Sequence, residues 1–309
     1  MFKDFLSATD LSRPMAEALL TQAQALKAVW QQEGCHASEP LRGQTLALVF
    51  EKPSLRTRVA FEAGMTQLGG NGSYLSANDI DMGGRESVPD VARNLSRWVQ
   101  GIAARVFKHS TVELLAQHAT VPVINALSDQ EHPCQALADM LTLLERRGSL
   151  QGLRLTFLGD GNNVCHSLLL LGATLGVHVT VGCPPDYQPN PEILAQAKER
   201  AAQSGSTIQV TDSPSEAAEG ADALYTDVWA SMGQEHESAR RRPIFQPYQL
   251  NRDLLALAAP EALIMHCLPA HRGEEITAEM VEHPQAVIFD QAENRLHTQK
   301  ALLLTLLKQ

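Results

Sequence analysis

A chain of 309 residues, 44% hydrophobic and 19% charged, is long enough for two domains with cores of their own and needs no disulfide or metal staple. Its 25 Lys+Arg against 35 Asp+Glu give a net charge of −10, which excludes the basic footprint of a general nucleic-acid binder but not a local pocket for a small anion. Cys35, Cys134, Cys165, Cys183 and Cys267 form no CxxC pair, the N-terminus lacks the order of a signal or transit peptide, and the longest apolar stretch, 168–181, is broken by Gly172, Gly176 and His178; a reducing, cytoplasmic setting with no membrane partner is expected.

Strand-like and helix-like segments alternate along the chain. Leu46–Phe50 predicts a strand and Ser54–Leu68 a helix closed by Gly69-Gly70. Ile102–Phe107 is the next strand, with Ser110-x-x-Glu113 as a capping box for a helix behind it. Val121–Asn125 is a strand and Pro133–Arg147 a helix, with Pro133 in its first turn and Gly148 after its end. The second half repeats the rhythm: strand Leu153–Leu158, helix Asn163–Leu175, strand Val177–Val181, helix Pro191–Ala202, strand Thr207–Thr211, and a second capping box at Ser213–Glu216. Strands at Ala223–Thr226, Leu263–His266 and Val287–Phe289 and a helix over Glu293–Leu307 complete the set, and the polar run Gln234–Arg242 reads as a loop. Such βα alternation makes an α/β protein of two doubly wound parallel-sheet domains, 1–148 and 149–292, divided at Arg146-Arg147-Gly148-Ser149.

In open α/β sheets ligands bind beyond the carboxyl ends of the strands, so the residues just after each strand carry the chemistry. Ser54-Leu55-Arg56-Thr57 lies at a helix start, where backbone N–H groups, hydroxyls and a guanidinium fork suit a phosphate; the alternative is a plain N-cap followed by solvated arginines. Arg105, beside an apolar strand core, either reaches water or joins Arg56 and Arg295 on one small anion, since a buried lone charge is costly. His132-Pro133-Cys134-Gln135 offers an imidazole donor for a carbonyl oxygen and an amide for an amide-like group. Neither His132 with Cys134 nor His266 with Cys267 has zinc-ligand spacing, so no metal is expected. Gly159-Asp160-Gly161-Asn162-Asn163-Val164 is half of a dinucleotide fingerprint, with Val164 at the third glycine and no acid ending the next strand; the Asn pair suits a carboxylate instead. Asp227, with Ser231 and the Met232 N–H, suits an ammonium, or is a turn residue.

Together, Phe50-Glu51-Lys52-Pro53-Ser54-Leu55-Arg56-Thr57-Arg58 and His132-Pro133-Cys134-Gln135 resemble the signatures of the aspartate and ornithine carbamoyltransferase family. His266-Cys267-Leu268-Pro269 and Asp227-x-x-x-Ser231-Met232-Gly233 look like its ornithine branch, and the motifs run in the family's order from Phe50 to Arg295. The resemblance implies a carbamoyl-phosphate domain and an amino-acid domain with the active site in the cleft between them, the helix over 293–309 packing back on the first domain. It implies transfer from carbamoyl phosphate to L-ornithine, giving L-citrulline and phosphate in arginine metabolism, with no cofactor, by a cytoplasmic homotrimer.

By the same resemblance Ser54, the Leu55 backbone, Arg56, Thr57 and Arg105 would hold the phosphate, and Thr57, Arg105 and His132 would polarise the carbonyl. Gln135, the Cys267 and Leu268 backbone and Arg295 would orient the carbamoyl end. Asn163 would bind the ornithine α-carboxylate, and Asp227 with Ser231 and Met232 its α-amine. Acyl transfer by an uncharged amine needs donors for an oxyanion and a leaving dianion and two substrates in line, but no covalent nucleophile; Cys267 would instead sit near the δ-amine and, with Asp227, favour its neutral form. Two positions depart from the pattern: Leu55 replaces the usual Thr, and Asp81 stands where the family has a Gln on carbamoyl phosphate. Other acceptors (putrescine, N-acetylornithine, aspartate), a nicotinamide enzyme suggested by Gly159-x-Gly161, and an idle binding homologue are the alternatives.

Overall fold

The computed structural model describes residues 2–230 and 235–308. Contacts divide the chain into one unit of Met1–Leu141 with Glu293–Gln309 and another of Thr142–Ala292.

In the first unit the order is α1 (Arg13–Glu33), β1 (Thr45–Phe50), α2 (Leu55–Gln67), β2 (Asn71–Ser76), α3 (Val88–Leu95), β3 (Gly101–Arg105), α4 (His109–His118) and β4 (Val123–Leu127), followed by α5 (Pro133–Arg147), which runs on into the second unit. The strands form one parallel sheet in the order β2-β1-β3-β4. β1 is apolar and buried from Leu46 to Phe50, and β3 is buried throughout and apolar up to Arg105, as expected of strands covered on both faces. The chain leaves β1 in one direction to β2 and β3 lies on its other side, so the sheet reverses at the carboxyl ends of β1 and β3.

The second unit holds β5 (Arg154–Leu158), α6 (Asn163–Leu175), β6 (His178–Gly182), α7 (Pro191–Ser204), β7 (Ile208–Thr211), α8 (Pro214–Ala218), β8 (Ala223–Thr226), α9 (Ser238–Phe245), α10 (Arg252–Leu257), β9 (Leu263–His266) and α11 (Ala278–Val281). Its sheet is parallel in the order β7-β6-β5-β8-β9, reversing between β5 and β8. α6 is buried around nearly its whole circumference, from Val164 to Leu175, and so carries no polar stripe. α12 (Ile288–Leu307) starts in this unit and ends in the first.

The two doubly wound parallel sheets are as expected; several local readings are corrected. Val287–Phe289 is not a strand: Val287 donates one ladder-like bond to the Ile264 carbonyl at 3.0 Å, and α12 begins at Ile288. A three-residue apolar run has too little length for periodicity to separate strand from helix. Ser110 and Glu113 form no capping box, because Lys108 is the N-cap residue and the Asp129 carboxylate takes the His109 N–H at 2.7 Å. At Ser213 the box is half made: its hydroxyl accepts the Glu216 N–H, while the Glu216 carboxylate bonds Thr211. Of the run read as a loop, Gln234 lies outside the described residues, and 235–242 form a 3₁₀ turn and the start of α9. A buried arginine there, Arg241, gives that helix the anchor its composition hid.

α12 also buries polar groups in the first unit. The Lys27 ammonium donates to Asn294 Oδ1 at 2.8 Å, and Lys300 Nζ to Gln67 Oε1 at 2.9 Å, with Nζ over the Trp30 ring. Burial, reinforced by the Lys300 and Lys27 charges, pushes the His297 imidazole down to about 3, and burial lowers Lys300 to about 8. The unfolded chain protonates this imidazole near 6.5, so between that value and about 3 the unfolded state binds the extra proton and stability falls as pH falls. His297→Asn removes that term. Urea unfolding of this variant loses about 1.4 kcal/mol less per pH unit below 6.5 than wild type does, and equal slopes would contradict the assignment.

Candidate active site

In the first unit, β1 runs through a short turn into α2. Ser54 caps the helix, its hydroxyl accepting the Thr57 N–H at 3.2 Å, which places Leu55 and Arg56 in the first turn, where backbone N–H groups point out of the helix N-terminus. Leu55 is 74% exposed on this rim, which makes its backbone the part that matters. Phe50 pairs in register with Arg105, which brings the Arg105 guanidinium to the same sheet end, 6% exposed. The first turn of α5 supplies Gln135 and the residue before it His132, both buried. α12 adds the buried Arg295, whose Nη1 donates to Gln135 Oε1 at 2.7 Å and Nη2 to Thr57 Oγ1 at 3.1 Å. Gln135 in turn donates to Asp139 at 2.8 Å, which fixes its amide with the carbonyl toward Arg295.

Burial first, then the charges of Arg295, Arg105 and Arg56, hold the His132 imidazole well below its usual range. It is therefore a neutral donor at working pH, suited to polarising a carbonyl rather than to giving up a proton. Three guanidinium groups, two hydroxyls and a helix N-terminus converge here, the chemistry for a small dianion next to a developing oxyanion. All eight residues expected for this end from the first unit (Ser54, Leu55, Arg56, Thr57, Arg105, His132, Gln135, Arg295) lie at one sheet end. Asp81 is elsewhere employed: its carbonyl accepts the Gly84, Arg85 and Glu86 N–H groups and its carboxylate the Arg85 N–H at 3.2 Å, so it closes its own turn.

In the second unit, Asn163, Asp227 and Cys267 follow the adjacent strands β5, β8 and β9. Asp227 is buried and both its oxygens are held: Oδ1 by the Cys267 thiol at 3.0 Å, Oδ2 by the Asn162 amide at 2.8 Å. The Asn pair is thus split. Asn162 is the N-cap of α6, its Oδ1 accepting from Val164 and Cys165, and Asn163 is the first residue of that helix. Leu268 has φ of 60°, a left-handed backbone that costs an L-residue roughly 1–2 kcal/mol. Its N–H donates to His266 Nδ1 at 2.8 Å, which offsets that cost and makes Nδ1 the acceptor. His266 Nε2 therefore carries the proton and donates to the buried Glu275 carboxylate at 3.1 Å. Ser231 and Met232 lie outside the described residues.

Glu275 is the residue the motifs did not reveal. It stands eight positions after Cys267 in no recognisable pattern, and only the fold brings it against His266. Asp227, His266 and Cys267 present donor atoms within 4.8 Å of one another, as do His271, Glu274 and Glu275. In the first set both imidazole nitrogens are committed to hydrogen bonds, so no lone pair is left for a metal. The dinucleotide reading fails on space: a Cβ on Gly161 would meet the Pro189 nitrogen at 2.3 Å, and Gly161 donates to the Tyr187 carbonyl at 2.9 Å. The 187–189 segment packs directly on Gly161.

Two family models match the chain: aspartate/ornithine carbamoyltransferase, carbamoyl-P binding domain, over residues 3–145, and its Asp/Orn binding domain over 151–306. An ornithine carbamoyltransferase of Acidothermus cellulolyticus is 54% identical over 308 residues, covering 99% of this chain and 97% of that one. One of Thermococcus kodakarensis is 50% identical over 301 residues, covering 97% and 95%. The solved structure of ornithine carbamoyltransferase from Pyrococcus furiosus matches with a TM-score of 0.96 at 48% identity, covering 99% of this chain and 97% of that one, and the curated relative from that organism is named anabolic.

Proposed function

The chain belongs to the aspartate/ornithine carbamoyltransferase family, and we propose that it transfers the carbamoyl group of carbamoyl phosphate to the δ-amine of L-ornithine, giving L-citrulline and phosphate in arginine biosynthesis. The observation that carries this reading is the neutral His132 among Arg56, Arg105 and Arg295 at the N-terminus of α2.

The neutral amine attacks the carbonyl carbon, the C–N bond forms, and the bond from that carbon to the oxygen bridging to phosphorus breaks. The phosphate leaves with that electron pair and takes up the amine proton, so dianion gives hydrogen-phosphate dianion and charge balances. Ser54, the Leu55 N–H, Arg56, Thr57 and Arg105 hold the phosphate as its charge grows. Thr57, Arg105 and His132 donate to the carbonyl oxygen, and Gln135 and Arg295, locked together at 2.7 Å, orient the carbamoyl NH₂ end. On the second unit Asn163 takes the ornithine α-carboxylate and Asp227, with Ser231 and Met232, its α-ammonium. The Cys267 thiol, already donating to Asp227, stands by the δ-amine. His266 and Glu275 hold the Cys267–Leu268 turn in shape.

Citrulline formation tests the reading. With ornithine, putrescine, N-acetylornithine and aspartate compared, kcat/KM for ornithine is at least about 100-fold the highest of the others, because unpaired buried polar groups reject a wrong acceptor strongly. A preference for any other amine overturns it.

The assembly is a homotrimer on this reading, and five free thiols favour a reducing compartment, the cytoplasm. A groove of about 470 Å³ on the first unit, lined by Ala47, Leu75, Ile80, Val91 and Leu95 and capped by Trp98 at 70% exposure, supports association through that unit. Light scattering gives three times the 33.7 kDa chain mass for wild type and the single-chain mass for Trp98→Glu. A trimeric Trp98→Glu removes the groove from the interface, and a monomeric wild type removes the trimer.

A further inference from the structure

A second charged cluster sits next to Asp227 in the second unit. Asp160, at the end of β5, is 14% exposed, and burial raises its carboxyl, with the Asp227 and Glu237 charges adding to that. Arg241, from α9, answers it. Its Nη1 bridges Asp160 Oδ2 at 2.7 Å and the Trp229 carbonyl at 2.8 Å, and its Nε and Nη2 both reach Glu237 Oε2 at 2.8 Å. The guanidinium lies 5.0 Å from the Tyr187 ring centroid, and Tyr187 packs edge-on against Phe245 at 4.7 Å. One side chain, 7% exposed, thus ties the end of β5 to the segment two residues beyond Asp227.

We propose that Arg241 is a positioning residue for the acceptor: by neutralising Asp160 and gripping the Trp229 carbonyl it leaves the Asp227 carboxylate, held by Asn162 and Cys267, to face the acceptor's ammonium. This rests on the assignment of Asp227 to the α-amine. Two neighbouring carboxylates in a buried site compete for the same cation and repel each other, and a guanidinium on one of them settles which is left for the ligand. A lysine cannot replace it, since a single ammonium does not reproduce the fork that spans Asp160, Trp229 and Glu237. None of these groups belongs to the phosphate-binding set of the first unit, so donor binding does not depend on them.

The test is steady-state kinetics and carbamoyl-phosphate titration on full-length R241Q, R241K and R241Q/D160N, using the acceptor that wild type prefers. R241Q raises the acceptor KM by at least about 20-fold while kcat stays within about fivefold and the carbamoyl-phosphate Kd within about twofold. Removing the stranded carboxylate in R241Q/D160N recovers at least about fivefold of that KM, and R241K remains nearer R241Q than wild type. An unmoved acceptor KM, a parallel rise in the carbamoyl-phosphate Kd, or no recovery from D160N overturns the proposal. If R241Q does not fold, R241K decides: a lower melting temperature without a selective rise in acceptor KM overturns it. A wild type that prefers another amine overturns the ornithine reading instead, and leaves the Arg241 test to run on that amine.

Discussion

Arg56→Ala lowers kcat/KM for carbamoyl phosphate by roughly 10²- to 10³-fold, about 2.7–4 kcal/mol of transition-state stabilisation, with the melting temperature close to wild type. Arg56 stands in the first turn of α2, half-buried and outside the core, so truncation removes charge from the phosphate end without opening a cavity. The leaving phosphate gathers charge as the C–O bond stretches, so the loss falls on kcat as well as on KM. Arg295 would be a poorer probe, because its removal also strands Gln135 and Thr57. A loss under about tenfold would take Arg56 out of the phosphate site, since one charge-assisted donor to a dianion is worth more than that.

Asp227→Asn strikes the other substrate. It leaves an acceptor ammonium without its anion in a buried site, which costs about 3–5 kcal/mol, or roughly 10²- to 10⁴-fold in kcat/KM for ornithine. It also sets an amide NH₂ against donors that the carboxylate now accepts from Asn162 and Cys267. Carbamoyl-phosphate binding, measured by titration, stays within about twofold because the side chains assigned to the phosphate lie on the other unit and the Cys267–Leu268 contribution is backbone. Cys267→Ala, which deletes one hydrogen bond to Asp227, costs about five- to tenfold. An unchanged ornithine KM in Asp227→Asn would withdraw Asp227 from the acceptor site, and full activity in Cys267→Ala would withdraw the thiol.

The parts of this protein legible in its sequence are those governed by short-range rules. The buried strands β1, β3, β8 and β9 are apolar runs but for a polar residue at one end, the start of α2 announces itself by Ser54, and most of the candidate side chains come at or soon after strand ends, so order along the chain places them at sheet ends. What stayed hidden depends on distant partners. β2 reads Asn-Gly-Ser-Tyr-Leu-Ser, too polar for a strand signal, and becomes one because β1 offers it an open edge. Asp160 and Arg241 lie 81 positions apart, and α9 looked like solvated loop because its anchor is a charged residue whose partner is set by folding. The proton position on His266 follows from the Leu268 N–H and Glu275 together, and Glu275 belongs to no motif. At Asp81, where the resemblance marks a departure from Gln, the carboxylate accepts from the backbone of its own turn, a local contact that no motif announces.

The path of α12 has a consequence for biosynthesis of the chain itself. Arg295 meets Gln135 across 160 positions and Thr57 across 238, and all of the second unit is made between them. On a ribosome the first unit emerges early, but its anion site lacks one of its three arginines until the whole second unit has been made. Domains fold largely in the order they appear. The nascent first unit is thus a scaffold without its full binding power, and competence for the donor substrate arrives only after the acceptor-binding half already exists.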